Sequence, residues 1–248
     1  MFIPLANLTA FFSAYGQSDL FGKLIIISLI GLSVVCWIVL VYKIWVLQKV
    51  KQISQTFKQS LAKNNRSFLD TDLSLFPMPK YPYIPHPFLS ISQSLKQKTV
   101  DVLNKNHYFL SQGGKEKASV YLTASDLELL EYHASSTIAE EHKRLESNIF
   151  VLSTIAALAP FMGLLGTVWG ILESFSGFSS GGAVGSNSAI LGGLSTALAT
   201  TVLGLIIAIP ALVSYNYLKN TVKSYTSDMD GFLSNLISAI DIQFRKVE

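Results

Sequence analysis

IFVLSTIAALAPFMGLLGTVWGIL, residues 149–172, contains no charged side chain. As a helix these 24 residues would be about 36 Å long, enough to cross the roughly 30 Å hydrocarbon core of a bilayer. Glu173 interrupts the run, and a second neutral stretch follows from Ser174 to Leu218. Its first part, Ser176 to Ser188, is rich in Gly and Ser and reads as a loop. Its second part, Ala189 to Tyr217, reads as a long helix. Nearer the N-terminus, Leu24 to Tyr42 is also neutral and is fenced by Lys23 and Lys43. A buried helix of a soluble domain rarely stays uncharged over such lengths, and here it happens three times. The pattern predicts an all-α membrane protein with spans at 24–42, 149–172 and 189–217.

Composition agrees. Of the 248 residues, 50% are apolar and 14% are charged, against roughly 25% charged in a soluble domain. A net charge of +3 with high hydrophobicity argues against a disordered chain. No basic stripe marks a nucleic-acid binder. Cys36 is the only cysteine, which excludes an internal disulfide framework and a cysteine-based zinc cluster. The first span does not read as a cleaved signal peptide, because Lys23 is the first base and the apolar run is too long.

Lysine and arginine set the orientation. Residues 1–23 hold one base, 43–148 hold fourteen, the tail after 218 holds four, and 173–188 hold none. The positive-inside rule then places 43–148 and 218–248 in the cytoplasm, and residues 1–23 and the loop 173–188 on the outer side. The main soluble mass is therefore cytoplasmic, and its helices are expected to extend the membrane helices inward.

Val46, Val50, Ile53, Phe57 and Leu61 continue one apolar helical face beyond the first span, until Asn64-Asn65. Five of the eight prolines fall within Pro77–Pro87, an extended connector that reads as a stiff linker or a polyproline docking motif. A helix resumes at Phe88, with Ile91, Leu95 and Val102 on one face, and Gly113-Gly114 breaks it. Thr123 to Asp126 resembles a capping box with Asp in place of Glu. The stripe Leu127, Leu130, Ala134, Ile138, Leu145, Ile149 then leads into the second span, and residues 218–248 read as a C-terminal helix. Of the four histidines, His133 and His142 share a helix but lie nine apart, which is not a helical metal-pair spacing. No metal or other cofactor is expected.

The second and third spans each carry one face of small or hydroxylated residues. On the second they are Ser153, Ala156, Ala157, Pro160, Gly163, Thr167 and Gly170. On the third they include Gly193, Thr196, Ala197, Thr200, Thr201, Gly204 and Ala208. Lipid gives Leu no reason to prefer protein, so close helix contact falls on small faces. Gly166, Gly170, Gly193, Ala197, Gly204 and Ala208 are the expected packing positions. Packing accounts for Gly and Ala. It accounts less well for Thr196, Thr200 and Thr201 together, which read as the lining of a pore or of a partner interface. Pro160 and Pro210 each free a backbone carbonyl within a span. No Asp, Glu, Lys, Arg or His lies inside any span, so a protonatable group for proton transport would have to come from a partner. The same absence disfavours an intramembrane hydrolase and predicts no enzymatic activity.

The runs Ala159–Ile171 and Leu194–Ala211, the latter followed by Tyr215-Asn216, resemble the signature of the MotA/TolQ/ExbB proton channel family. The stretch Lys23–Ser33 with Trp37 resembles the TolQ branch most. The resemblance implies a pentameric ring of three-span subunits in the bacterial inner membrane, so that residues 1–23 and the loop 173–188 lie in the periplasm. A single-span partner, TolR-like or ExbD-like, supplies the protonatable Asp. A TolA-like or TonB-like protein transmits force, and the proton motive force drives the motion. It also implies pore positions. Thr201 matches the family's threonine on the third span, while Leu158 replaces the threonine of the second span and Thr196 replaces a glutamate. Both changes make the path less polar, and Thr154, one turn from Leu158, is the nearest compensating hydroxyl. The expected path is therefore Thr201, Thr196, Thr200 and Thr154, with Pro160 and Gly163 shaping the wall. An ExbB-like energiser of uptake and a non-conducting membrane scaffold are the alternatives.

Overall fold

The computed structural model describes residues 15–16, 18–63, 84–112, 121–179 and 186–244. All the regular elements among them are helices: α1 (Leu20–Lys63), α2 (Pro87–Gln112), α3 (Ala124–Glu146), α4 (Ile149–Ser179) and α5 (Ser186–Phe244). Three of these, α1, α4 and α5, are long and apolar enough to cross a membrane. The described residues form two compact units. The first takes its chain from 1–43 and 148–218, the second from 44–147 and 219–248. Most of the connector 77–87, the Asn64-Asn65 stop and the Gly113-Gly114 break lie outside the described residues.

The first unit contains the apolar parts of α1, α4 and α5. On α1, Ile25, Leu29 and Cys36 are buried, while Trp37 and Ile38 on the other side are 56% and 63% exposed. Phe161 on α4 and Leu198 on α5 are exposed to a similar degree. A protein surface this apolar is unfavourable in water and suits a hydrocarbon environment. The first helix begins at Leu20 rather than Leu24 because Asp19 caps it: the Asp19 carboxylate accepts the Gly22 N–H at 2.7 Å.

The second unit is an aqueous-type helical core. Phe88, Ile91 and Leu95 on α2, Leu130, Ala134, Ile138 and Leu145 on α3, and Val222, Met229 and Ile240 on α5 are buried. Pro87 is the first residue of α2, where its missing N–H costs nothing. The N-terminus of α3 has the expected capping box. Thr123 Oγ1 accepts the Asp126 N–H at 3.2 Å and the Asp126 carboxylate accepts the Thr123 N–H at 2.9 Å. Asn106 on α2 also donates to Asp126 at 3.2 Å. Burial works against the Asp126 charge, but these donors outweigh it and hold the carboxyl below its usual range. Thr123→Ala is expected to cost about 0.5–2 kcal/mol. Faster amide hydrogen exchange confined to the first turn of α3 is the measurement; unchanged exchange at Asp126 counts against the cap.

Three further helix boundaries differ from the sequence reading. First, α4 does not end at Leu172 but runs to Ser179, and α5 begins at Ser186, so the described residues of the stretch 173–188 are helical. Two serines bond back into the helix: Ser174 donates to the Gly170 carbonyl at 2.7 Å and Ser176 to the Glu173 carbonyl at 2.9 Å. Second, the third span and the C-terminal helix are one helix of 59 residues, because nothing between Tyr217 and Phe244 stops it; Gly231 sits in open space. Third, α3 and α4 are not one helix: the stripe runs on through buried Leu145 and Ile149, but the helix breaks between Glu146 and Ile149. Asn148 takes φ 64°, a left-handed conformation that Asn tolerates well, and Ser147 N–H closes onto the Lys143 carbonyl at 3.0 Å. Lys143 and Arg144 in the last turn favour a helix end there.

Candidate functional site: the seam between two membrane helices

The α4–α5 seam is built from residues without bulk. Ala159, Gly163, Gly166 and Gly170 on α4 are buried, as are Gly193, Thr196, Ala197, Thr200, Gly204 and Ala208 on α5. The helices run antiparallel in one register. A Cβ on Gly204 would stand 2.5 Å from the Ala159 carbonyl oxygen, one on Gly163 2.9 Å from the Thr200 carbonyl oxygen, and one on Gly170 2.8 Å from the Gly193 carbonyl oxygen. A Cβ on Gly166 would overlap the Thr200 side chain. Backbone therefore touches backbone along the seam, as small residues allow between membrane helices.

Hydroxyls bridge the seam where glycine opens it. Thr201 Oγ1 donates to the Gly163 carbonyl at 3.1 Å. Thr200 Oγ1 bonds the Ala197 carbonyl at 2.8 Å and reaches the same Gly163 carbonyl at 3.4 Å. Thr196 donates to the Gly192 carbonyl in its own helix at 3.0 Å. Such bonds across membrane helices contribute on average about 0.6 kcal/mol, at most about 1.7.

The structure thus brings Thr196, Thr200, Thr201 and Gly163 to one seam. Thr196 and Thr200 are 4% and 1% exposed, packed inside the subunit, while Thr201 is half-buried at the edge. Thr154 is elsewhere. It is exposed, donates to the Phe150 carbonyl at 3.1 Å, and lies nine residues, about 13 Å of helix, from Gly163. Leu158 is exposed and Pro160 half-buried on the same helix.

One arrangement had no reading from sequence. Trp169 Nε1 donates to Asp19 Oδ2 at 2.8 Å, and the Phe21 ring stacks at a tilt on Trp169, 4.3 Å between centroids. The start of α1 is thereby tied to α4. Burial works against the Asp19 charge, but the Gly22 and Trp169 donors outweigh it and hold the carboxyl below its usual range. The available signal was Ser18-Asp19 directly before an apolar run, a helix N-cap pattern. Among the described residues no group of three His, Cys, Asp or Glu is placed to hold a metal.

The residues that build the seam fall within a family match. The MotA/TolQ/ExbB proton channel family matches residues 103–231. The chain is 36% identical over 109 residues to the biopolymer transport protein ExbB of Neisseria gonorrhoeae, covering 44% of this chain and 49% of that one. It is 40% identical over 92 residues to ExbB of Aquifex aeolicus, covering 37% of this chain and 62% of that one. It is 34% identical over 103 residues to the Tol-Pal system protein TolQ of Haemophilus influenzae, covering 42% of this chain and 45% of that one. The chain spans about half the length of the curated relatives it matches. A match over more than half of these residues, centred on two helices that meet through glycine and threonine, makes this chain a member of the MotA/TolQ/ExbB proton channel family.

Proposed function

We propose that this chain is a TolQ-like stator subunit. Five copies form a ring in the bacterial inner membrane around a single-span partner of the TolR kind. The partner carries the protonatable Asp, and a TolA-like protein carries force to the cell envelope. The N-terminus is periplasmic and the C-terminus cytoplasmic in this arrangement. The observation that carries the reading is the seam itself: a hydroxyl-lined contact in spans free of ionisable side chains. Such a subunit supplies a polar wall and leaves the proton to its partner. The chain performs no covalent chemistry in this role.

Thr201 is the hydroxyl assigned to the path, because it is half-buried at the seam edge. Thr196 and Thr200 act behind it, holding the wall in place. The Thr154 and Leu158 surface of α4 faces the neighbouring copy or the partner. Each proton gains about 2.3 kcal/mol per 100 mV, so sustained mechanical work takes several.

The test is proton flux through the complex with its single-span partner, reconstituted in liposomes. Losing a bond of about 0.6–1.7 kcal/mol corresponds to a three- to eighteen-fold change in rate. Thr201→Val, which keeps the shape, is expected to lower flux by about that factor with assembly intact. Unchanged flux removes Thr201 from the path, and no flux in the unaltered complex favours a non-conducting scaffold. The ExbB relatives support a second reading, an energiser of uptake. Sequencing the co-purified small partner separates the two.

A further inference from the structure

A buried carboxylate sits in the second unit. Glu141 on α3 has a side chain only 3% exposed, and its Oε2 has no hydrogen-bond partner. Oε1 pairs with Arg144 at 2.9 Å, but that guanidinium is 63% exposed and stands at the rim. The carboxylate occupies a core position: Leu130, Ala134, Ile138, Glu141 and Leu145 are the buried face of α3.

The groups that face it come from three helices. On α3 itself they are Arg144 and, repelling it, Glu140. From α2 comes the Ser90 hydroxyl, which is committed to the His86 carbonyl at 3.2 Å and helps the charge less than Arg144 does. From α5 comes Tyr225, whose hydroxyl is bonded to Ser54 on α1 and senses the Glu141 charge. One exposed cation and one shared hydroxyl do not replace the water that a buried carboxylate loses. Burial therefore wins and pushes the Glu141 carboxyl above its usual range, despite Arg144.

We propose that Glu141 is a proton-binding switch of the second unit: the junction of α2, α3 and α5 closes with this carboxyl neutral and loosens when it ionises. The sign follows from linkage. A folded-state value above the unfolded one, about 4.3, gives stability that is complete below pH 4 or so and is lost as pH rises through the folded value. The contribution of Glu141 to the unit therefore grows in acid, opposite in sign to that of Asp126. In the topology proposed above Glu141 would sense the cytoplasm, but the switch does not depend on that topology.

The test is the apparent melting temperature of the full-length protein in detergent between pH 4.5 and 8, with Glu141→Gln beside it. Within the titration window the difference between wild type and variant should change by about 3–5 °C per pH unit, wild type losing stability as pH rises. Parallel profiles overturn the proposal. Should Glu141→Gln fail to fold, Arg144→Ala serves: it alters a mostly exposed side chain and should carry the pH-dependent loss of stability to higher pH. A profile superimposed on wild type overturns the proposal equally.

Discussion

Phe88→Ala is expected to destabilise the second unit by about 3–5 kcal/mol, the range for removing a buried aromatic ring. Phe88 is 1% exposed. Its ring meets Phe232 edge-on at 5.0 Å and Tyr225 at 5.5 Å, both from α5, and Lys58 of α1 places its ammonium 4.1 Å above the ring. Truncation leaves a cavity bounded by three helices, loses two aromatic contacts and strands a cation. Phe57 is itself stacked edge-on against His86 and Phe232, contacts it would give up to move into the gap. Against a total stability of about 5–15 kcal/mol, such a loss would take much of what the unit has. A lower denaturation midpoint with faster proteolysis in 84–112 is the expected result; a shift under about 1 kcal/mol would mean that the ring is not central to this core.

Gly204→Ala is the second large effect. The added methyl would stand 2.5 Å from the Ala159 carbonyl oxygen and 3.3 Å from the Gly163 Cα. Both obstacles are backbone, so no rotamer change relieves them and the helices must part. Overpacking of this kind costs about 1–3 kcal/mol. Parting also lengthens the Thr201–Gly163 hydrogen bond, so the variant should lose heat resistance in detergent and proton flux together. Gly31→Ala on α1 is the control. Nothing lies within 4 Å of its added methyl, and a helix interior prefers alanine. Equal behaviour of the two variants would show that the close approach at Gly204 has no energetic weight.

What the sequence revealed, it revealed through local rules. Long neutral runs marked three membrane-competent helices, and Thr123-x-x-Asp126 marked a helix start that has the expected geometry. The small-residue faces of α4 and α5 could be found because close packing leaves only Gly, Ala and hydroxylated residues as options. Features that depend on distant partners stayed hidden. The Asp19–Trp169 bond joins residues 150 apart, and neither residue advertises the other. Asn148 breaks the helix beneath an apolar stripe that stays regular through buried Leu145 and Ile149, so periodicity read through it. Glu141 was hidden differently. Its position falls on the stripe between Ile138 and Leu145, which foretold burial, but a glutamate there is easily passed over as a break in the pattern.

The second unit is made of chain from both sides of the last two membrane helices. Its core holds Phe57 and Phe88 from before α4 and Met229 and Ile240 from the far end of α5, with half-buried Phe232 stacked on both rings. During synthesis at about 5–20 residues per second, Phe232 emerges some 7–30 seconds after Phe88. For that interval the aromatic face of α2 has no partner from α5, and it gains one only once the preceding apolar helices have been made. A chain arrested at the membrane would keep Phe57 and Phe88 uncovered, a persistent target for chaperones and proteases. Completion of this core thus doubles as a report, on the ribosome's timescale, that the last span has been delivered.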